Sequence, residues 1–170
     1  MGPTKVVTRE ELGSRWFPEV RPGIWKWSDI ESKLMGLGGS SLQDAERRIV
    51  ILQHEDTGDL KGSSPTMFIG VQLIKPGEHV PPHRHNSVAL NLCLKGAGYS
   101  IVNGERLDWE FGDVFISPPW ADHEHFNHTD EDAILWTVQD IPLLAAMRSL
   151  MWEEPKGNVM HMLRNMVKKD

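Results

Sequence analysis

The stretch Pro81-Pro82-His83-Arg84-His85 decides the fold of this chain. If it forms a strand, His83 and His85 project from the same face, because side chains along a strand alternate with a period of two. A third histidine ends the later run Pro118-Pro119-Trp120-Ala121-Asp122-His123, which follows several short strand-like segments. A strand returning beside the first would bring this histidine next to the other two. Three neutral imidazoles on one face can bind a metal ion and leave coordination positions open.

Length and charge favour a single domain without a nucleic-acid partner. The 170 residues suit one domain with a real core, since domains of this size bury roughly 70% of their unfolded surface. The formal net charge is -6, and the 18 lysines and arginines are scattered except at Lys168-Lys169. This distribution argues against a basic surface for nucleic acid.

The single cysteine and the lack of long apolar runs bear on the cellular location. Cys93 has no partner for an internal disulfide, and its place in an apolar strand-like run predicts a small buried residue. The amino terminus has no basic-then-apolar leader, and no apolar run approaches the roughly 18 residues that would span a membrane. We therefore expect a cytoplasmic protein with no membrane partner.

From residue 66 onward the sequence is typical of short β-strands separated by turns. The predicted strands cover residues 67–75, 87–94, 99–102, 105–109, 114–117, 123–127 and 133–138. Asn103-Gly104 between two of these runs predicts a two-residue hairpin. Many short strands with Gly and Pro turns indicate a closed or sandwiched antiparallel sheet rather than alternating α/β units.

The segments on either side of this β region differ in character. Residues 1–65 are predicted to be an N-terminal extension with short helices near 8–12 and 28–35 and a first strand at 48–52, packing on a barrel core of residues 66–139. Residues 140–170 are predicted to be a C-terminal helical segment. There Asp140 can cap a helix entered through Pro142, and a second helical pattern covers 158–168.

Two runs carry a family resemblance. The run from Gly77 to His85 resembles the first cupin motif, and the run from Gly112 to Asn127 resembles the second. More narrowly, the chain from Pro22 to Pro155 is similar to the N-terminal half of gentisate 1,2-dioxygenases and their salicylate and 1-hydroxy-2-naphthoate relatives. This narrower likeness is carried by Pro22-Gly23-Ile24-Trp25-Lys26-Trp27, Ala45-Glu46-Arg47-Arg48, Val71-Gln72-Leu73-Ile74-Lys75-Pro76-Gly77-Glu78 and Asp140-Ile141-Pro142.

The resemblance implies a mainly β protein, a single cupin jelly-roll barrel flanked by short helices. It also implies an Fe(II) ion held by three histidines and oxygen-dependent cleavage of an aromatic ring that bears a hydroxyl next to a carboxylate. The residues that fall on the iron ligands are His83, His85 and His123. Those that fall close to substrate or bound oxygen are His125 and Gln72, and either Arg47 or Arg48 matches a pocket arginine.

The residues themselves favour three histidines without a carboxylate. Many cupins place a glutamate about four residues after the second histidine, but this chain has Ala89 and Leu90 there. Three neutral ligands leave Fe(II) its full charge and up to about three positions, enough for a bidentate hydroxy acid and O2. The fourth ligands that stay open are Glu78, Glu110 and Glu124.

Three other residues carry two interpretations each, and a fourth, Arg84, carries one. His125 shares the face of the third ligand, so it is either a hydrogen-bond donor or proton shuttle near the metal, or a satisfied barrel histidine. Trp120 either forms a wall of the substrate pocket or fills the barrel. Gln72 either orients a ligand or satisfies backbone groups, and Arg84 should point to the face opposite the ligands.

Two departures bear on the substrate and on assembly. The family enzymes carry an arginine eight residues after the first ligand histidine, where it can clamp a substrate carboxylate, and this chain has Asn91. The ring-cleaving relatives also hold two cupin repeats whereas this chain has one, so we expect a homodimer or higher homo-oligomer.

The hypothesis that follows is a mononuclear Fe(II) ring-cleaving dioxygenase acting on a small aromatic hydroxy compound, with O2 as its second substrate. One alternative is a non-oxidative metal cupin, an isomerase or hydrolase that uses Zn, Mn or Ni on the same histidines. The other is a non-catalytic cupin that binds a small molecule.

Overall fold

The computed structural model describes residues 2–13, 19–38, 48–153 and 159–160. The helices are α1 (Arg9–Leu12), α2 (Trp27–Gly38), α3 (Ile141–Ala146) and a 3-10 helix (Glu55–Leu60). The strands are β1 (Ile49–Ile51), β2 (Phe68–Ile74), β3 (His79–His85), β4 (Ala89–Lys95), β5 (Ala97–Val102), β6 (Glu105–Glu110), β7 (Val114–Ser117), β8 (His123–Phe126), β9 (Ala133–Gln139), β10 (Trp152–Glu153) and β11 (Val159–Met160).

The strands form two antiparallel sheets. One has the order β1-β2-β9-β4-β7, and the other has the order β11-β10-β3-β8-β5-β6. Strands distant in the sequence, such as β2 and β9 or β3 and β8, pair directly, which gives the jelly-roll arrangement. The predicted mainly β fold is therefore confirmed.

Apolar side chains fill the space between the two sheets, and a second apolar cluster lies on the outer face of the first sheet. Inside, Val80, Cys93 and Trp109 are almost fully buried, and Cys93 has the buried strand position that its sequence context predicts. Outside, Ile30 and Leu34 of α2 pack on the first sheet.

The predicted division of the chain into an N-terminal extension, a barrel core and a C-terminal segment, with boundaries after residues 65 and 139, stays a prediction. Among the described residues, no helix combines the length and apolar character needed to cross a membrane.

Local signals located several turns correctly. Asn103 and Gly104 have φ values of 50° and 84°, and Val102 pairs with Glu105, so the predicted hairpin is confirmed. Thr8 caps α1: its hydroxyl oxygen accepts from the Glu11 backbone N–H, and the Glu11 carboxylate accepts from the Thr8 backbone N–H. This capping box explains why the short helix forms where it was expected.

The described residues after Asp140 are less helical than the sequence indicated. Helix α3 begins behind Asp140 as predicted but ends at Ala146, and Arg148 has a φ of 56° in the left-handed region. The chain then adds β10 to the edge of β3, and β11 pairs with β10 where a helix over 158–168 was predicted. Pairing with an existing strand edge overrode the helical pattern there. Residues 161–170 lie outside the described part.

Candidate metal centre

The two prolines of β3 set the direction of its histidines. Val80 faces the core, so strict alternation would turn Pro82 and Arg84 inward. The pairing between β3 and β8 is irregular between Val80 and His83, which lies opposite His123. Proline cannot donate to a sheet and is found at bulges, so this irregularity belongs where the sequence has Pro81-Pro82. It resets the alternation and brings His83 and His85 to the inner face.

The three predicted ligands meet in one place. His83, His85 and His123 each offer one ring nitrogen, and these nitrogens all lie within 4.8 Å of one another. The His85 and His123 side chains are 1% and 3% exposed, so water has little access to them. Within the described ranges this is the only such group of three ligands, and it contains no carboxylate.

Backbone carbonyls orient all three rings. Nδ1 of His83 lies 2.9 Å from the carbonyl oxygen of Pro81, and Nδ1 of His85 lies 2.9 Å from the carbonyl oxygen of Ser87. Nδ1 of His123 lies 2.8 Å from the carbonyl oxygen of Ala121. A carbonyl only accepts, so each Nδ1 carries the proton and each Nε2 keeps its lone pair. This tautomer is the one that metal-binding histidines use, so the residues fit a divalent cation such as Fe(II).

Burial keeps two of these ligands neutral. Loss of water around His85, together with the neighbouring His83, lowers its pKa to about 4. Burial lowers the pKa of His123 to about 3, with His83 again contributing. Neutral imidazoles are what a metal requires, so protons compete weakly at neutral pH.

We expect the metal-free protein to lose stability as the pH falls from 6.5 to 4. Because the folded pKa values of His85 and His123 lie below the unfolded value of about 6.5, the unfolded chain binds more protons in this window. The free energy of unfolding should fall by on the order of 3 kcal/mol. Urea titrations between pH 7 and pH 4 measure this, and His123→Gln should flatten the slope. A free energy of unfolding that does not change over this range would contradict the expectation.

A tryptophan that no motif identified covers two of the ligands. Trp152 of β10 lies directly opposite His85 in the antiparallel pair, so its side chain shares that face of the sheet. Its ring stacks on His83 at 5.1 Å and on His85 at 4.8 Å between centroids. Strand β10 is held to β3 by Arg84, whose Nε donates to Glu153 at 2.6 Å.

We expect Trp152→Leu to weaken metal binding about tenfold, because aromatic pairs contribute about 0.5 to 1.5 kcal/mol each. Trp152→Phe should retain most of the affinity. Trp25→Leu is the control, since Trp25 lies on the N-terminal extension and contacts Gln53 and His54 there. Competition with a chromophoric chelator measures the dissociation constant. Equal affinity in Trp152→Leu and the wild type would show that the stack does not support the ligands.

Two further predicted residues face the barrel interior. His125 is 6% exposed, with its ring 5.7 Å from that of His123, and burial, aided by the neighbouring histidines, lowers its pKa well below the usual range. Gln72 is half-buried on β2, paired with the inward-facing Leu135 of β9. Their roles stay predictions.

Asn91 lies in a neutral polar cluster. It is 1% exposed; its Oδ1 accepts from the Thr137 hydroxyl at 2.7 Å and its Nδ2 donates to Ser117 at 3.4 Å. Pairing of Asn91 with Thr137 in neighbouring strands places both on the inner face. Substrate binding by Asn91 stays a prediction.

The side chains of two other predicted contacts, Arg48 and Trp120, have partners outside the triad. Arg48 is buried and its guanidinium is bonded to Glu78, while Arg47 lies outside the described residues. The Trp120 ring lies 4.8 Å from the guanidinium of Arg84, which points away from the ligand face as predicted and pairs with Glu153. Substrate binding by Trp120 and the arginines stays a prediction that these contacts do not support.

Comparisons with known proteins agree with this geometry. A cupin domain matches residues 70–139. The chain is 41% identical to the 5-nitrosalicylic acid 1,2-dioxygenase of a Bradyrhizobium species over 152 residues, which cover 86% of this chain and 73% of that protein. It is 33% identical to gentisate 1,2 dioxygenase 1 of Aquipseudomonas alcaligenes, covering 85% of this chain and 42% of the relative.

The fold is similar to a solved enzyme structure. The salicylate 1,2-dioxygenase of Pseudaminobacter salicylatoxidans superposes with a TM-score of 0.75 and 30% identity, over 82% of this chain and 41% of that one. The chain thus spans about two fifths of the gentisate and salicylate enzymes. It belongs to the cupin family, in the group that holds the gentisate, salicylate and nitrosalicylate 1,2-dioxygenases.

Proposed function

We propose that this chain is a mononuclear Fe(II) dioxygenase that cleaves the ring of a small aromatic hydroxy compound. The observation that carries the proposal is the all-histidine centre, in which three carbonyl-oriented rings present Nε2 lone pairs at the inner face. It is supported by the named activities of relatives at 30 to 41% identity. Fe(II) held there would supply redox chemistry for O2 and Lewis-acid chemistry for a chelating phenol.

The chain's own residues would bind and orient the substrate. The wall beside the triad carries apolar groups, including Phe115 and Leu135, which exclude bulk water from an aromatic ring. His125 lies beside His123 and is neutral, so it can exchange a hydrogen bond with a substrate oxygen. Backbone carbonyls hold the ligand rings, so the centre needs little reorganisation when the substrate binds.

The polar lining favours substrates that do not require a cationic clamp. The buried polar side chains on the inner strands, other than the histidines, are Ser87, Asn91, Ser100, Ser117, Thr137 and Gln139. All are neutral. The buried Arg48 is engaged with Glu78. We therefore infer a hydroxy-aromatic whose second donor lies next to the hydroxyl and is held by the metal itself, such as an ortho-aminophenol or a substituted salicylate.

O2 uptake by the iron-loaded protein tests the function. Metal content is measured first, then Fe(II) is added anaerobically and O2 consumption is followed with hydroxybenzoates, aminophenols and hydroquinones. Substrate-dependent uptake with a ring-opened product would support the proposal. No uptake with a full complement of iron would overturn it and favour a non-oxidative cupin or a binding protein.

We also infer that the chain acts as a homodimer or higher homo-oligomer. Helix α2 packs on one part of the outer face of the first sheet, and among the described residues another part of that face is apolar and exposed. On that face Leu90, Val114 and Ile116 lie on the paired strands β4 and β7 and are 46%, 64% and 47% exposed. Sedimentation velocity would decide the state, and a monomer at micromolar concentration would exclude it.

A further inference from the structure

His125 lies between the ligand strand and a second polar strand. In the six-stranded sheet, β8 carries His125 and lies between β3, which carries His83, and β5, which carries Ser100. His125 is paired with Ser100 across β5 and β8, so both side chains point to the inner face. His125 is buried, and it is not one of the three histidines whose ring nitrogens could bind a metal.

A chain of two hydrogen bonds determines which nitrogen of His125 carries the proton. Trp109 Nε1 donates to Ser100 Oγ at 2.9 Å, and Ser100 Oγ lies 2.7 Å from His125 Nδ1. An indole N–H can only donate, so the serine oxygen is the acceptor in the first bond. The hydroxyl proton of Ser100 is then donated to Nδ1 of His125, which is the acceptor in the second bond.

The opposite arrangement leaves a buried group unsatisfied. If Nδ1 of His125 carried the proton, the Ser100 hydroxyl proton would have no acceptor among the described residues, which costs roughly 1 to 3 kcal/mol. The hydroxyl is fully buried, so water does not compensate. The network therefore favours the tautomer with the proton on Nε2.

This tautomer is the reverse of the one at the ligands. Nδ1 of His83, His85 and His123 faces carbonyls, which only accept, and their Nε2 lone pairs are available to a metal. Nδ1 of His125 faces a hydroxyl whose proton has Nδ1 as its acceptor among the described residues. Since Nδ1 bonds toward β5, the Nε2–H lies on the edge of the ring toward β3 and its ligands.

We propose that Ser100 and Trp109 are positioning residues that hold His125 in the Nε2–H tautomer. His125 then donates a neutral hydrogen bond to an oxygen of a molecule bound at the metal centre, and it is not a fourth ligand because it presents no lone pair there. The identity of that acceptor rests on the proposed function, whereas the assignment of the His125 tautomer is independent of it.

Nitrogen NMR on histidine-labelled protein tests the tautomer directly. Long-range 15N–1H spectra of the metal-free and Zn(II)-loaded protein should show Nε2–H for His125, assigned by its loss in His125→Gln, and Nδ1–H for the ligands. Ser100→Ala removes the group that donates to Nδ1, so it should shift His125 toward Nδ1–H. Trp109→Phe keeps the hydroxyl but removes the bond that orients it, so its shift should be smaller. Ser100→Thr should retain the wild-type pattern.

The control is Ser63→Ala, which removes a buried hydroxyl that donates to the Leu52 carbonyl away from the barrel interior. It should leave the His125 spectrum unchanged. In the iron-loaded enzyme, Ser100→Ala should lower kcat about tenfold or more at unchanged KM and iron content.

Two results would overturn the inference: Nδ1–H on His125 in the wild type, or an unchanged tautomer in both Ser100→Ala and Trp109→Phe. If the spectra behave as expected but no aromatic compound is consumed, only the proposed function fails.

Discussion

Replacing His85 with alanine is expected to abolish metal binding and any ring cleavage that depends on it. Mutating only an outer partner of a metal ligand typically lowers affinity by about 10- to 100-fold, so loss of the ligand itself should exceed about 100-fold. His85 is 1% exposed and has two hydrogen-bond acceptors at Nδ1, the carbonyl and hydroxyl of Ser87, so no neighbouring ring can take its place. Elemental analysis after anaerobic Fe(II) loading measures the loss.

His79→Ala is the matched control for this experiment. His79 lies on the same strand but is exposed and stacks on Phe126, so its removal should leave the iron content unchanged. Circular dichroism of the metal-free variants separates a lost ligand from a lost fold. Full iron stoichiometry in a folded His85→Ala protein would reject the assignment of the metal site.

Replacing Asn91 with arginine is expected to tighten binding of aromatic carboxylates by about 10- to 100-fold. A charge-assisted hydrogen bond contributes roughly 1.5 to 3 kcal/mol, and the side chain lies at the inner face beside Thr137 and Ser117. In the absence of a ligand the same change should lower the melting temperature, because it buries a cation without a partner. Calorimetry on the anaerobic Fe(II) protein with salicylate measures the gain.

Two controls isolate the charge. Asn91→Met removes the amide, as Asn91→Arg does, but introduces no cation. It should therefore lower the stability of the protein without improving its affinity for salicylate. Salicylamide keeps the ring and hydroxyl of salicylate but has no carboxylate, so Asn91→Arg should not favour it. An equal change for salicylate and salicylamide would remove Asn91 from the account of specificity.

Short-range signals were sufficient for most of the barrel strands. The strand predicted at 114–117 coincides with β7, and the hairpin at Asn103-Gly104 needs positive φ at both residues, which these two residues adopt readily. At the C terminus, two residues of a pattern predicted to be helical over 158–168, Val159 and Met160, pair as a strand with β10. Helical spacing is a local property, whereas the edge of β10 is created by the fold, in which β10 pairs with β3.

The predicted grouping of the three histidines is present in the structure, although the reason given for it was incomplete. Alternation from Val80 would have turned Arg84 inward, and only the irregular pairing at the prolines brings His83 and His85 to the inner face. The spacing of the two histidines guarantees a shared face, but not which face. That choice depends on the register with β8, which brings His123 opposite His83.

The sequence by itself determined the residue types that this chemistry requires: His83, His85 and His123 as ligands, no carboxylate at Ala89, and a neutral amide at Asn91. These follow from spacing and side-chain chemistry, which are local. Only the tertiary structure decided the protonation of each imidazole and the cover over the ligands. A tautomer depends on the partner at Nδ1, and stacking by Trp152 depends on a strand pair between residues far apart in the chain. Such contacts between distant residues exist only once the barrel has closed.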